Sequence, residues 1–427
     1  MNPLLPRRQP ADLDARDRRA VDTATLAAAA EIVADVDREG GAAVRRWSEA
    51  LGDLAPGAPL VIDAAACRAA LDGLPDDRRG LLERVAARIG AFARAQRATL
   101  HDLEAPVPAG RAGHVLEPVA VAGCYAPGGR YPLPSSVLMT AVTARAAGVE
   151  TVIVASPRPT AVTLAAAAAA GADAVLAVGG AQAVAALVRG VAGLPACDLV
   201  VGPGNRWVTA AKQLVSGRVG IDMLAGPSEL LIIADATASP AWLAADLLAQ
   251  AEHDPDAVPL LVTWCPDLPA AVAGELDVQL RALPTAAVAR QALTRGGHVL
   301  VGSADEAVAL ANRVAPEHLQ LSVAAPRELL RTCRRYGAAF LGHGSAEVMG
   351  DYGAGPNHTL PTGGTARWRG GLWVGTFLQA RTWLDLDPHA PAYADLLADT
   401  EQLASLEGLA AHARAAARRR TGAMESR

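Results

Sequence analysis

From about Val119 to Val323 the chain repeats one pattern: a short apolar run, a glycine or proline turn, then a longer run with apolar residues at helical spacing. The first series is VAVAGCYAPGG, TVIVAS, residues 161–170, AVLAVGG, AQAVAALVRG, DLVVGPGN and VTAAKQLV. The second is ELLIIAD, AWLAADLLAQAEH, PLLVTWC, a helical run to Leu283, HVLVGS, EAVALANRV and HLQLSV. Apolar runs alternating with helices are what parallel strands covered on both faces require. Two consecutive α/β units are expected, and a chain of 427 residues that is 51% hydrophobic can bury a substantial core in each.

The flanks read differently. TLAAAAEIVADVDREGG and DDRRGLLERVAARIGAFARAQR carry helical patterns, and EAPVPAGRAG reads as a proline- and glycine-rich link. The last sixty residues are rich in Gly, Trp and Arg and end in the helical SLEGLAAHARAAARRR. So short a tail makes no core of its own and is expected to pack on another unit or on a partner subunit. Residues 161–188 contain one charge, Asp173, but glycines punctuate them and alanine dominates. A buried helix, strand and helix is the reading there, not a membrane span.

The formal net charge of -5, with no long block of either sign, points away from nucleic acid or an anionic membrane as partner. A small molecule is the expected ligand. The five cysteines stand singly, so neither a disulfide framework nor a zinc knuckle is indicated. With an N-terminus that lacks an apolar signal core, this favours a cytoplasmic location.

Three glycine turns follow predicted strands: YAPGGR, VGGAQA and VGPGNRW. Such turns let backbone amides approach a phosphate at a helix N-terminus, although α/β turns use glycine in any case. Tyr125, Gln182 and Asn205 are the side chains there able to stack on or hydrogen-bond a nucleotide. Lys212, the only lysine, reads as a solvated helix residue or a phosphate contact.

Gln250 and His253 share a helix face at i and i+3, which suits either a metal or a helix cap. Glu317-His318 stand at a strand entrance, Asp351 and His358 lie in the glycine-rich GDYGAGPNHTLPT, and His412 follows Glu407 by five residues. Each reads singly as a surface group; together they suggest one polar site assembled from distant segments.

CYAPGGR, GPGN, AGPSELLIIAD, QAEHDPD, VAPEHL, GDYGAGPNHTLPTGGTAR and EGLAAHA, in this order, resemble the histidinol dehydrogenase family from about Val119 to the C-terminus. The resemblance implies zinc- and NAD-dependent oxidation of L-histidinol through the aldehyde to L-histidine. It implies Gln250, His253, Asp351 and His412 as zinc ligands, with His412 from the other subunit of an intertwined homodimer. Glu317 and His318 match the catalytic acid/base pair. His318 would take the hydroxyl proton, and Glu317 would activate the water that adds to the aldehyde. Ser228, His318, His358 and Glu407 match substrate contacts, beside the metal ligands, and Tyr125, Gln182 and Asn205 match NAD contacts. A thiohemiacetal at Cys124 is an alternative for the second oxidation.

The expected fold is therefore α/β, with two incomplete Rossmann-like domains and a C-terminal helical tail swapped in a homodimer. Residues 20–124 with 228–372 would carry the metal and catalytic groups, 125–227 would be an inserted NAD-binding domain, and 1–19 with 373–427 would serve dimerisation. GGRYPLPSSVLM and RWRGGLWVGTFLQARTW resemble relatives that oxidise 2,3-dihydroxypropane-1-sulfonate, and Arg130, Arg367 and Arg369 would suit such an anion. An inactive binding homologue is the remaining alternative.

Overall fold

The runs VAGCY, TVIVA, AVL and LVV contain no charged residue, so they can be buried on both faces, and they become the middle of a six-stranded sheet. In a computed structural model that describes residues 4–14, 20–128 and 132–422, its order is Val61–Asp63, Ala174–Leu176, Thr151–Ala155, Val121–Tyr125, Leu199–Val201, Gly220–Ile221. All neighbours are parallel except Val61–Asp63, which pairs antiparallel at one edge. Strand order reverses around Val121–Tyr125, the kind of position where α/β sheets open a crevice at their carboxyl ends.

A second sheet is wholly parallel, in the order Gly297–Leu300, Val258–Thr263, Glu229–Ala234, His318–Ser322, Ala338–Leu341. Its central strands ELLIIA and VPLLVT are buried from their second residue onward. Helix Pro240–Ala251 covers one face through Leu243, Ala244, Leu247 and Leu248, the three-and-four spacing that a helix packed on a sheet needs.

These two sheets and their helices belong to one unit, made of the chain up to Gln96 together with Val119–Phe377. A second unit comprises Arg97–Pro118 and Leu378 onward. There EAPVPAGRAG is not a link but the core of a β-hairpin, Leu103–Val107 with Gly110–Pro118. Ala109 takes a positive φ of 67° to close it, and Pro106 is tolerated because its strand is an edge. Strand Leu378–Leu386 pairs antiparallel on the other side of Gly110–Pro118, and helices Tyr393–Leu406 and Ala410–Gly422 pack on each other.

The expected grouping of 20–124 with 228–372 differs from the observed layers. Helix Thr23–Glu39 buries Ala29, Ile32, Val33 and Val36 against helices Gly180–Arg189 and Arg206–Val215, and Val61–Asp63 completes the first sheet. Helical periodicity states that a face is buried, not which sheet buries it. Residues 161–188 form the expected helix, strand and helix, and no described helix is long and apolar enough to cross a membrane.

Candidate active site

Glu317 and His318 enter strand His318–Ser322 at its amino end, beside the first residue of the neighbouring strand, Glu229. The backbone of Glu229 holds both. Its N–H donates to Glu317 Oε2 at 2.8 Å, and its carbonyl accepts from His318 Nδ1 at 3.0 Å. Because a carbonyl only accepts, Nδ1 carries a proton, so in the neutral form of the ring it is Nε2 that offers the lone pair. Phe340 packs on the imidazole at 5.9 Å between ring centroids, and both catalytic candidates are buried.

The loop GDYGAGPNH brings Asp351 Oδ1 to 3.6 Å from His318 Nε2. Helix Asp76–Arg97 supports this loop from below. Arg88 Nε donates to the Gly353 carbonyl at 2.7 Å, and Cβ atoms at Gly353 and Gly355, both at positive φ, would meet Val85 and Phe92. Asn357 Nδ2 donates to the Met139 carbonyl at 2.7 Å, and His358 Nδ1 to the carbonyl of Asp351 at 3.1 Å. These contacts give helix Asp76–Arg97 a place at the site that its periodicity alone did not reveal.

Gln250 is fully buried at the last turn of helix Pro240–Ala251. An ionised Glu347 only accepts, so the Gln250 amide is oriented with its nitrogen toward that carboxylate, where it lies 3.0 and 3.3 Å from the two oxygens and its carbonyl oxygen faces elsewhere. Glu347 was missed by sequence reasoning. It lies four residues before Asp351 on the short helix Glu347–Asp351, so the two carboxylates share a face, and that spacing was the available signal.

Ligand atoms of His318, Glu347 and Asp351 lie within 4.8 Å of one another, all buried. Nε2 of His318 and Nε2 of His358 are also buried without a hydrogen-bond partner. A dense set of carboxylates around imidazole nitrogens without hydrogen-bond partners fits a divalent cation.

The electrostatics carry the same strain. Burial raises Glu317 and Glu347 to about 8 each. Burial opposes charge on His318, yet Glu317, Glu347 and Asp351 outweigh it and raise its pKa to about 10. Asp351 is held below the usual aspartate value, burial being outweighed by His318. A bound dication would invert this balance, favouring ionised carboxylates and neutral imidazole.

His253 is exposed just beyond helix Pro240–Ala251, near enough for its charge to act on Asp351 and His358. Ser228 directly precedes strand Glu229–Ala234 and its carbonyl accepts from the Val258 N–H at 3.0 Å. Glu407 and His412 belong to the smaller unit, where both are exposed. Arg367 and Arg369 are exposed as well, and Arg130 lies outside the described residues.

Tyr125, Gln182 and Asn205 all line one cavity of about 510 Å³ at the carboxyl ends of the first sheet, with Trp47, Trp207 and Asp53. Tyr125 Oη accepts from the Gly180 N–H at 3.2 Å, and Asn205 Oδ1 caps helix Arg206–Val215 through the N–H groups of Trp207 and Val208. Lys212 is neither solvated nor open to phosphate. It is buried in an ion pair with Asp222, its Nζ also donating to the Gly202 carbonyl at 3.0 Å, while Asp222 Oδ2 accepts from the Gly202 N–H at 2.7 Å. The pair pins the GPGN turn from beneath.

A histidinol dehydrogenase family model matches residues 15–420. This chain belongs to the histidinol dehydrogenase family. Similarity to curated histidinol dehydrogenases is extensive: 48% identity to that of Thermus thermophilus over 90% of this chain and 92% of the relative. With that of Ralstonia nicotianae it is 43% over 96% and 93%. The crystal structure of histidinol dehydrogenase from Elizabethkingia anophelis superposes with a TM-score of 0.91 at 29% identity, covering 99% of each chain. Nothing in these comparisons favours the sulfonate-oxidising alternative. Cys124 is fully buried and its thiol is pushed up to about 12 by burial, which removes the thiolate that a covalent second step needs.

Proposed function

We propose that this protein oxidises L-histidinol to L-histidine in two successive hydride transfers, with zinc at the amino edge of the second sheet and NAD in the cavity of the first. Family membership over nearly the whole chain supports the substrate, and the buried His318, 3.6 Å from both Glu317 and Asp351, is the observation that carries the chemistry. Gln250, through its carbonyl oxygen, His253 and Asp351 hold the metal, and His412 of a second copy completes the set. Glu347 is already engaged by the Gln250 amide and acts on the metal through it. When bound, zinc supplies Lewis acidity at the substrate oxygen and NAD accepts the hydride.

The chain's own groups manage the protons. With Nδ1 held by the Glu229 carbonyl, His318 takes the hydroxyl proton at Nε2 in its neutral form. Glu317 has one oxygen fixed by the Glu229 N–H, and its other oxygen takes a proton from the water that adds to the aldehyde. Burial keeps both steps away from bulk solvent. Ser228, His358 and Glu407 orient the substrate, Glu407 as partner of its ammonium.

The exposed Leu384, Leu403, Leu406 and Leu409 of the smaller unit support its burial against a second copy. The protein is accordingly a homodimer with shared sites, and five free thiols suit a cytoplasmic setting. The test is NADH formation by zinc-loaded protein with limiting L-histidinol. Two NADH per histidinol are expected; turnover of 2,3-dihydroxypropane-1-sulfonate but not of histidinol would overturn the substrate assignment. A fully active monomer in sedimentation would overturn the shared site.

A further inference from the structure

The cavity on the first sheet holds a buried polar atom with nothing to bind. Gln182 is fully buried in the first turn of helix Gly180–Arg189. Its Nε2 donates to Asp53 Oδ2 at 3.1 Å, whereas its Oε1 receives no hydrogen bond. An ionised carboxylate accepts only, so Asp53 decides which end of the amide faces it and which end is left over. Oε1 lies over Gly180, where a Cβ would approach it to 2.8 Å, and Gly180 is at φ 64°. Glycine is required at that position both for its backbone and for the room that the amide occupies.

Around this acceptor the cavity presents Trp47, Trp207 and Ile32, surfaces suited to a planar heteroaromatic ring. Arg158 lies at the same cavity and its charge acts on Asp53. We propose that Asp53 is a positioning residue for coenzyme choice: by holding the nitrogen of Gln182, it presents Oε1 as acceptor for the exocyclic amino group of an adenine dinucleotide. The proposal rests on the reading of this cavity as the NAD site. A base with a carbonyl at that position, such as hypoxanthine, would set two acceptors against each other.

The experiment compares NAD with nicotinamide hypoxanthine dinucleotide, which share the same hydride acceptor, in the zinc-loaded enzyme and in Asp53→Asn. Asparagine can accept or donate toward Gln182, so the glutamine becomes free to turn over. The wild-type enzyme is expected to favour NAD by about tenfold in KM, the size of one neutral hydrogen bond made or missed. In Asp53→Asn the KM ratio should fall to within about twofold of unity. A purely structural role would raise KM for both coenzymes together and leave the ratio intact, and that result overturns the proposal.

Gln182→Met, which keeps the bulk and removes both polar ends, provides a second route should Asp53→Asn fold poorly. It should also bring the two KM values together, and a preserved tenfold preference would overturn the proposal. If neither variant changes KM for either coenzyme, the cavity is not the dinucleotide site and the underlying reading fails with it.

Discussion

The two sheets of the larger unit, one wholly and one mainly parallel, place their polar residues at opposite ends of their strands. In the first, Tyr125, Gln182 and Asn205 stand beyond the carboxyl ends, where the helices that follow begin. In the second, Glu229, Glu317 and His318 stand at the amino ends, where helix Pro240–Ala251 finishes with Gln250. Helix starts expose N–H groups and a partial positive charge; helix ends expose carbonyls and a partial negative one. A sheet edge facing helix starts suits the pyrophosphate of a dinucleotide, and one facing helix ends suits a cation. The same α/β architecture thus supplies two electrostatically opposite sites without a change of fold.

If that division holds, variants at one edge leave the other intact. The largest effect is expected from His318→Ala, a loss of roughly 100- to 10,000-fold in turnover with zinc content unchanged by metal analysis, because the residue moves protons and is not a ligand in this scheme. Loss of zinc in this variant would move His318 into the ligand set. At the opposite edge, Lys212→Met leaves Asp222 buried without its cation, and a loss of about 3–5 kcal/mol in denaturant titration is expected. Stability within 1 kcal/mol of wild type would show that the pair does not pin the GPGN turn.

Glu347→Gln should weaken zinc binding by about 10- to 100-fold in chelator competition, the usual range for a group that orients a metal ligand. Complete loss of zinc would make it a direct ligand. The smallest effect is in pH. Glu317, Glu347 and His318 all bind protons more tightly in the folded metal-free protein than when unfolded. The stability they contribute is therefore present at low pH and declines as pH rises, through about 4.5 to 8 for the carboxyls and 6.5 to 10 for the imidazole. Metal-free protein should melt at a lower temperature at pH 9 than at pH 6, and zinc, which expels those protons, should narrow the difference. A melting temperature that rises with pH in the metal-free protein would contradict this electrostatic picture.

The difference between the edges also explains what the sequence could be made to say. Strands and glycine turns were legible because TVIVAS or DLVVGPGN carries its own pattern locally. Glu317, His318 and Asp351 were legible as odd polar groups at element ends, and the family resemblance gave them roles, whereas Glu347, with only its spacing from Asp351 to mark it, was not. Asp53 was not legible, being 129 residues from Gln182 with nothing local to mark it. Lys212 was misread, although Val208, Ala211, Lys212 and Val215 fall on one buried helix face and its apolar neighbours were the clue. The hairpin at 103–118 was hidden because proline and glycine mark a strand edge as readily as a linker, and its partner Leu378–Leu386 lies far along the chain.

The most direct test of two separate sites is coenzyme binding in a protein that cannot hold metal. NADH fluorescence titration of His253→Ala, after metal analysis confirms that zinc has been lost, should give an affinity within about twofold of the wild-type protein while histidinol turnover is abolished. A coenzyme affinity that collapses together with the metal would contradict the division of the chemistry between the two sheet edges.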